Sequence, residues 1–433
     1  MRKFWLFLIS LGLFILLISG EASAATPQVD VLRVKGTINP VVAGYIDRGI
    51  GLAEEHGATA CIIELNTPGG LASSMQVIVE RIINAEVPVV VYVSPGGWAA
   101  SAGTFIVMSA HIAAMGPGSS IGAATPVAGS GEELPETEEQ KALEFFSSYM
   151  QTLAEQRGRN VEWAEKAVRE SAALTDVEAL EQNVIDLRAN DIDDLISQLD
   201  GWEVMLLSGE VITLETEDAD VNYIEMGALE RFLFTISDPN IAYILLSIGM
   251  LGIMLELFNP GTIFPGVVGA ICLLLSFYSL GMLPVNYVGI ILIILAFGLF
   301  IAEVFITSHG LLALGGIASL TIGSMILMTS PLFQINPGLI AGVVIVVTAF
   351  FIFVIGVIVR TRRKPQQTGR EAMVGMVAVA RTALDPTGTV FVHGERWEAT
   401  VDEGKVEPGE EVVITKVDGL RLRVTRKNKK GGE

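Results

Sequence analysis

Pro88-Val89-Val90-Val91-Tyr92-Val93-Ser94-Pro95-Gly96-Gly97-Trp98-Ala99-Ala100-Ser101-Ala102-Gly103 joins an apolar strand to a Gly-rich turn and then to a helix that starts after Ala99. The strand is too continuously apolar to face water on either side. It therefore belongs to the middle of a sheet covered on both faces. The same alternation extends in both directions. Short β-branched runs at Val29–Val34, Ala60–Leu65 and Ile112–Met115 are interleaved with helical patterns at Pro40–His56 and Leu71–Ala85. A βα alternation of this kind predicts an α/β domain with a buried, mainly parallel sheet. Another helix is expected from Thr137, where Thr137-Glu138-Glu139-Gln140 fits a capping box, to Gly158, with Leu143, Phe146, Met150 and Leu153 at helical spacing.

The whole chain, 433 residues with 51% hydrophobic and 18% charged side chains, is too apolar for a soluble single domain. Residues 25–239 carry 11 basic and 34 acidic side chains, a net of −23, and residues 365–433 carry 11 of each. Neither region offers the basic field that a phosphate backbone requires, so a nucleic-acid partner is not expected. Cys61 and Cys272 give no disulfide framework, and His56, His111, His309 and His393 have no ligand spacing. No metal or other cofactor is expected.

Met1-Arg2-Lys3, the apolar run Phe4–Ile18 and Ala22-Ser23-Ala24 form the three regions of a secretory signal peptide, residues 1–24, so the domain that follows is expected outside the cytoplasm. From 241 the chain becomes lipid-like. Five apolar segments, about 241–258, 262–282, 286–306, 310–329 and 337–359, are each near the ~20 residues that span hydrocarbon. They end at Arg360-Thr361-Arg362-Arg363-Lys364, which the positive-inside rule places in the cytoplasm. An exported domain before the spans and a cytoplasmic end after them require an odd number of crossings. Five satisfies this, and three would if some Gly/Pro-rich segments were re-entrant. Glu256 and Glu303 lie at span ends, where interfacial water solvates a carboxylate. Beyond a polar linker, five short strands separated by turn signals such as His393-Gly394 and Asp418-Gly419 suit a small OB-like barrel.

Two Gly-rich turns, Asn66-Thr67-Pro68-Gly69-Gly70 and Ser94–Gly103, bring free N–H groups to the carboxyl ends of strands, where open α/β sheets place ligands. Neither has a dinucleotide or P-loop pattern. Ser101 stands at the mouth of a helix beneath a tight turn, but a serine needs a base to become a nucleophile. His111 is the only histidine nearby and falls at a helix-to-strand junction, while residues 36–230 contain two lysines, Lys141 and Lys166.

Asn66–Gly70, Ser94–Gly103, Gly116–Pro126 and Arg157-Gly158-Arg159-Asn160 resemble the membrane-bound NfeD family, whose exported domain is similar to the Clp protease and signal peptide peptidase A folds. Thr382-x-Leu384-x-Pro386-x-Gly388 and Gly394-Glu395-x-Trp397-x-Ala399 are similar to that family's C-terminal barrel, so the likeness runs from about 28 to 425 in the long-form domain order. The resemblance implies a ClpP-like serine protease domain at 25–230, a membrane domain at 240–360 and an OB-fold at 370–427. It implies Ser101 as nucleophile, Lys141 as general base of a Ser–Lys dyad, and the backbone N–H groups of Gly70 and Ala102 as the oxyanion hole. The Clp-type histidine would fall near Ala123–Ala124, and its absence favours lysine. The expected flexible segment Gly129–Pro135 precedes Lys141, whereas Lys166 sits among Glu162, Glu165 and Glu170 as a solvated helix-face charge. Implied partners are the bilayer, a stomatin- or flotillin-type membrane protein cleaved in a hydrophobic segment, and further copies of the chain in a dimer or larger unit. A non-catalytic scaffold organising membrane microdomains, and an acyl-thioester hydrolase or isomerase, are the alternatives.

Overall fold

Strand β1 (Gln28–Lys35) leads into helix α1 (Pro40–His56), whose start the sequence dictates. The Asn39 side chain accepts from the Val42 N–H at 3.0 Å, and Pro40 occupies a position whose N–H would have no partner. The computed structural model describes residues 27–127, 135–306, 308–328, 333–362 and 370–427. The expected signal peptide and most of the expected flexible segment, 129–134, lie outside the described residues.

The chain continues through β2 (Ala60–Asn66), α2 (Ala72–Ile83), β3 (Val89–Val93), β4 (Trp98–Ala100), α3 (Ala102–Ser109), β5 (Ile112–Met115) and β6 (Ser120–Gly122). Then come α4 (Glu136–Gln156), α5 (Val161–Arg169), β7 (Ala173–Thr175), α6 (Asp176–Glu181), β8 (Leu187–Arg188), α7 (Ile192–Leu199), the hairpin β9 (Glu203–Met205) and β10 (Val211–Thr213), and β11 (Asp220–Ile224). A six-stranded sheet, β11-β1-β2-β3-β5-β8, is parallel throughout. Its faces are both dry: Leu32 and Val34 of β1 enter one core cluster, Val29 and Val31 the other. A second sheet, β4-β6-β7, carries the short strand that ends just before Ser101.

Two local expectations need correction. Helix α4 begins at Glu136 behind Pro135 with no side-chain cap, so the capping box at Thr137 does not form. The acidic first turn, Glu136, Glu138 and Glu139, complements the positive end of the helix dipole instead. A capping box does form at Thr175 and Glu178, which open α6. Leu143, Phe146, Met150 and Leu153 do face the core, and Gly158 at φ 65° follows the last turn.

Helix α8 (Ala228–Ile236) leads to five apolar helices, α9 (Pro239–Phe258), α10 (Phe264–Gly281), α11 (Tyr287–Phe305), α12 (Leu311–Ile326) and α13 (Pro337–Arg362). Four are long and apolar enough to cross a membrane; α12, with 16 residues, is shorter than expected. It is about 24 Å long at 1.5 Å per residue. Helix α12 nonetheless lies antiparallel along α11, tied by Ser319 Oγ to Leu292 O at 2.7 Å and by Asn286 N–H to Leu327 O at 2.9 Å. A buried Tyr243–Ser324 hydrogen bond of 2.7 Å joins α9 to α12. Glu256 and Glu303 have partners within the protein. Glu256 accepts from Gly261 N–H and Thr262 Oγ1, and Glu303 accepts from Gly310 N–H at 2.9 Å and Ala313 N–H at 3.2 Å. Each carboxylate thus closes a hairpin turn, and Glu303 caps α12.

The C-terminal unit has strands β12 (Val377–Ala380), β13 (Thr387–Val392), β14 (Glu395–Val401), β15 (Glu411–Asp418) and β16 (Arg421–Arg426), which form a closed barrel in the order β12-β13-β14-β16-β15. Small and branched residues, including Ala378, Val390, Ala399, Leu422 and Val424, fill it. The chain thus has the expected ClpP-like, membrane-helical and OB-like regions.

Candidate active site

Ser101 is held by its neighbours on every side of its backbone. The β2–α2 loop is stitched to β4 by Thr67 N–H to Trp98 O at 2.7 Å and Ala100 N–H to Thr67 O at 3.1 Å. Ser101 N–H donates to Gly122 O on β6 at 3.0 Å, and the Thr104 hydroxyl lies 2.9 Å from the carbonyl oxygens of Ala99 and Gly122. These bonds hold Ser101 at φ 52° and ψ −116°, a conformation that a residue with a Cβ adopts only under constraint. The strain resembles that of the sharp strand-to-helix turn that exposes the serine of α/β-hydrolases.

Close passage of the neighbouring loop requires two glycines. A Cβ on Gly70 would lie 2.0 Å from Ile38 O, and one on Gly69, at φ 120°, would lie 2.7 Å from Ser101 Cβ. Ile38 bonds to the chain on either side of Gly70: Ile38 N–H donates to Gly69 O, and Leu71 N–H donates to Ile38 O. The N–H of Gly70 lies between them and, like that of Ala102 at the first turn of α3, donates to no acceptor among the described residues.

Ser101, Ala102 and Gly70 line one cavity of about 300 Å³. Its walls are apolar: Leu71 and Met75 from α2 and its approach, Phe105 from α3, Phe146 from α4, and Ala124 with Pro126 beyond β6. The Phe105 ring meets Phe146 edge-on at 5.8 Å and stacks on Tyr149 at 6.0 Å, which docks α4 onto the helix that bears Ser101. The position expected for a Clp-type histidine is thus wall, occupied by the buried Ala124.

The three other basic candidates differ in surroundings. Lys141, in the second turn of α4, is exposed and is not a wall residue; Phe146, five residues on, is. The structure therefore brings Ser101, Gly70 and Ala102 together and leaves Lys141 outside the cavity. Lys166 is exposed and bonded to Glu162 at 2.6 Å, and that hydrogen bond raises its pKa above the usual lysine value. His111 accepts from Val89 N–H at Nδ1, while its Nε2 is buried without a partner among the described residues. Burial, reinforced by the nearby guanidiniums of Arg157 and Arg159, pushes His111 down to about 3.

That value carries a stability consequence. Below ~6.5 the unfolded chain takes up a proton that the folded His111 refuses until about pH 3. Stability contributed by this site therefore falls as pH falls, by at most ~1.4 kcal/mol per pH unit. The His111→Asn variant keeps an acceptor for Val89 N–H. Its unfolding midpoint should decline less steeply than the parent's between pH ~6 and ~4. Parallel declines would show that His111 does not titrate on unfolding.

Reading the sequence missed part of this cavity. Phe146 was legible as a core position but not as a wall, and Phe105 lies in a helix that is apolar on all sides. Pro284 and Phe333, from connections between membrane helices, also line it, and no local signal marks a contact across so much chain.

Known proteins show the same organisation. Sequence models of the NfeD1b N-terminal domain, the NfeD integral membrane domain and the NfeD-like C-terminal, partner-binding domain match residues 28–224, 240–357 and 370–426. A membrane-bound protease of Pyrococcus horikoshii is 36% identical over 441 residues, covering 98% of this chain and 99% of that protein. The membrane protein NfeD1b of Bacillus subtilis is 29% identical over 436 residues, with 96% and 97% covered. A solved structure, the 1510-N membrane protease of Pyrococcus horikoshii specific for a stomatin homolog, is 35% identical; it covers 49% of this chain and 100% of that one, with a TM-score of 0.44. The chain is a membrane-bound serine protease and belongs to the NfeD family.

Proposed function

We propose that the chain is an endopeptidase that cleaves hydrophobic segments of membrane-associated proteins, with Ser101 as nucleophile and Lys141 as general base. The observation that carries this reading is the setting of Ser101: a strained serine in an apolar cavity beside the unpartnered N–H groups of Gly70 and Ala102. In the reaction Ser101 Oγ adds to the scissile carbonyl as its proton passes to the Lys141 amine. The two N–H groups take the charge that develops on the carbonyl oxygen. Collapse of the adduct expels the amine product with that proton and leaves an acyl-serine. Water, deprotonated by the same lysine, then releases the acid. The apolar walls select an apolar side chain beside the scissile bond.

Lys141 is exposed before substrate binds, and the Phe145 ring, four residues on, is 56% exposed beside it on the same helix. An apolar substrate segment laid over this face would cover both, so desolvation of the base accompanies binding. Labelling of the full chain by a fluorophosphonate tests the nucleophile. Modification should fall on Ser101 and disappear in Ser101→Ala; undiminished labelling of that variant would refute it.

The partner belongs to the same proposal. The match of residues 370–426 to a partner-binding domain supports a stomatin- or flotillin-type membrane protein held by the barrel, and assembly of the chain into dimers or larger units completes the reading. We place the protease domain outside the cytoplasm and the barrel inside, an arrangement in which the shorter α12 crosses together with the four longer helices. A reporter fused after Asp220 should behave as exported and one fused after Lys364 as cytoplasmic. Both on one side would mean an even number of crossings and overturn the arrangement.

A further inference from the structure

Two residues of the membrane domain stand in the wall of the cavity that holds Ser101. Pro284 lies in the connection between α10 and α11, and Phe333 lies between α12 and α13; both line the cavity, and Phe333 is only 4% exposed. The two connections are tied to each other and to the membrane helices. Val285 pairs antiparallel with Met328, and Asn286 N–H donates to Leu327 O at 2.9 Å. Asn336 N–H donates to Asn240 Oδ1 at 2.8 Å, which fixes the start of α13 against the start of α9. Leu283, Leu327 and Ile335 on these connections are buried, so the wall is a packed platform with little freedom to retreat from a bound side chain.

We infer that Phe333 and Pro284 are specificity-determining residues of the protease: the membrane domain closes the subsite that receives the apolar side chain beside the scissile bond, and the Phe333 ring sets the size it accepts. The inference rests on the proposed role of Ser101, since the subsite is part of the cavity that Ser101 lines. It goes further in assigning selectivity to residues some 180 and 230 positions away along the chain, outside the protease domain. A side chain bound there rests on protease residues such as Phe105 and Leu71 on one part of its surface and on the membrane platform on another. Truncating the ring opens room for larger side chains; enlarging it removes room that smaller ones do not need. Differences of a few methylene groups in an apolar pocket change kcat/KM by roughly 10–200-fold, which sets the scale.

The test uses the full chain in detergent micelles and decapeptides identical except for Ala, Leu, Phe or Trp before the scissile bond. Phe333→Ala should raise the ratio of kcat/KM for the Trp peptide to that for the Leu peptide by about tenfold, and Phe333→Trp should lower the ratio of Phe to Ala by a similar factor. Phe305→Ala, an exposed residue at the end of α11 beyond Glu303, should leave all ratios unchanged and controls for general loosening. Should Phe333→Ala fail to fold, Phe333→Leu and Phe333→Trp carry the same comparison. Ratios within twofold of the parent in every Phe333 variant, or equal shifts in Phe305→Ala, would overturn the assignment. Cleavage that survives Ser101→Ala would instead remove the proposed nucleophile, so the two failures are distinct.

Discussion

Replacement of Ser101 by alanine should lower kcat for peptide cleavage by the full chain by on the order of a millionfold, the scale seen when a serine nucleophile is removed from a working constellation. Lys141→Ala should cost a comparable factor, because residues that act as a unit are not additive, and the double variant should be no worse than either. Lys141→Arg should not restore activity, since a guanidinium keeps its proton at any working pH. Lys166→Ala should retain activity, as its amine is already committed to Glu162. A lysine accepts a proton only as its neutral amine, so one that serves as base must be desolvated when substrate binds. Cover by the substrate over the Phe145 side of α4 is the proposed source, so the benefit should depend on apolar residues in the substrate. Peptides with that flank changed to serines should lose kcat as well as KM. Full activity of Lys141→Ala with loss in Lys166→Ala would transfer the role to Lys166, and unaffected cleavage by Ser101→Ala would end the serine assignment.

What could be read from the sequence follows the range of the forces involved. The parallel sheet was legible because β3 and β5 are buried over their whole length and continuously apolar, and the barrel because paired turn residues such as His393 and Gly394, both at positive φ, punctuate its strands. The Thr137 capping box was misread because Thr137 is the second residue of the helix, inside its first turn, while Pro135 holds the cap position. Ser101 was recognisable from its Gly-rich surroundings, yet its φ of 52° arises from bonds to Gly122 and Thr104 and from the passage of Gly69, which no window of local sequence contains. The membrane platform was invisible for the same reason. Pro284 reads locally as a break between spans, and only the assembled helices bring it beside a serine in another region. The length of α12 was overestimated at its C-terminal end, where Leu327 O accepts from Asn286 N–H and Met328 pairs with Val285, contacts from another connection that the local apolar run does not reveal.

Arg159→Leu should lower stability by about 3–5 kcal/mol, the cost of removing one partner from a buried ion pair, and the apparent Tm by about 10 °C. The Arg159 side chain is 1% exposed and donates to Val107 O at 3.1 Å, Met108 O at 3.0 Å and Asp186 Oδ2 at 2.6 Å. Arg157 Nε donates to Ser109 O at 2.9 Å. The two arginines of the Arg157-Gly158-Arg159-Asn160 motif thus satisfy the last carbonyls of α3, groups that no residue within the helix can reach. Leucine at 159 would leave Met108 O without the Arg159 donor, Val107 O with the Ala110 N–H alone, and the Asp186 carboxylate with the Ala113 N–H at 2.6 Å as its remaining partner. Arg159→Lys keeps the charge but not the planar fork, so it should fall between parent and Leu. Adding Asp186→Asn to Arg159→Leu should recover part of the loss, because the lone carboxylate is the larger part of the penalty. The consequence for catalysis follows from the length of α3, eight residues with Ser101 and Ala102 at one end and the arginines at the other. A helix of two turns freed at its C-terminus cannot hold its N-terminus, so kcat in Arg159→Lys should drop at temperatures well below its Tm while KM changes little. An apparent Tm within about 2 °C of the parent for Arg159→Leu would show that the motif does not brace the helix.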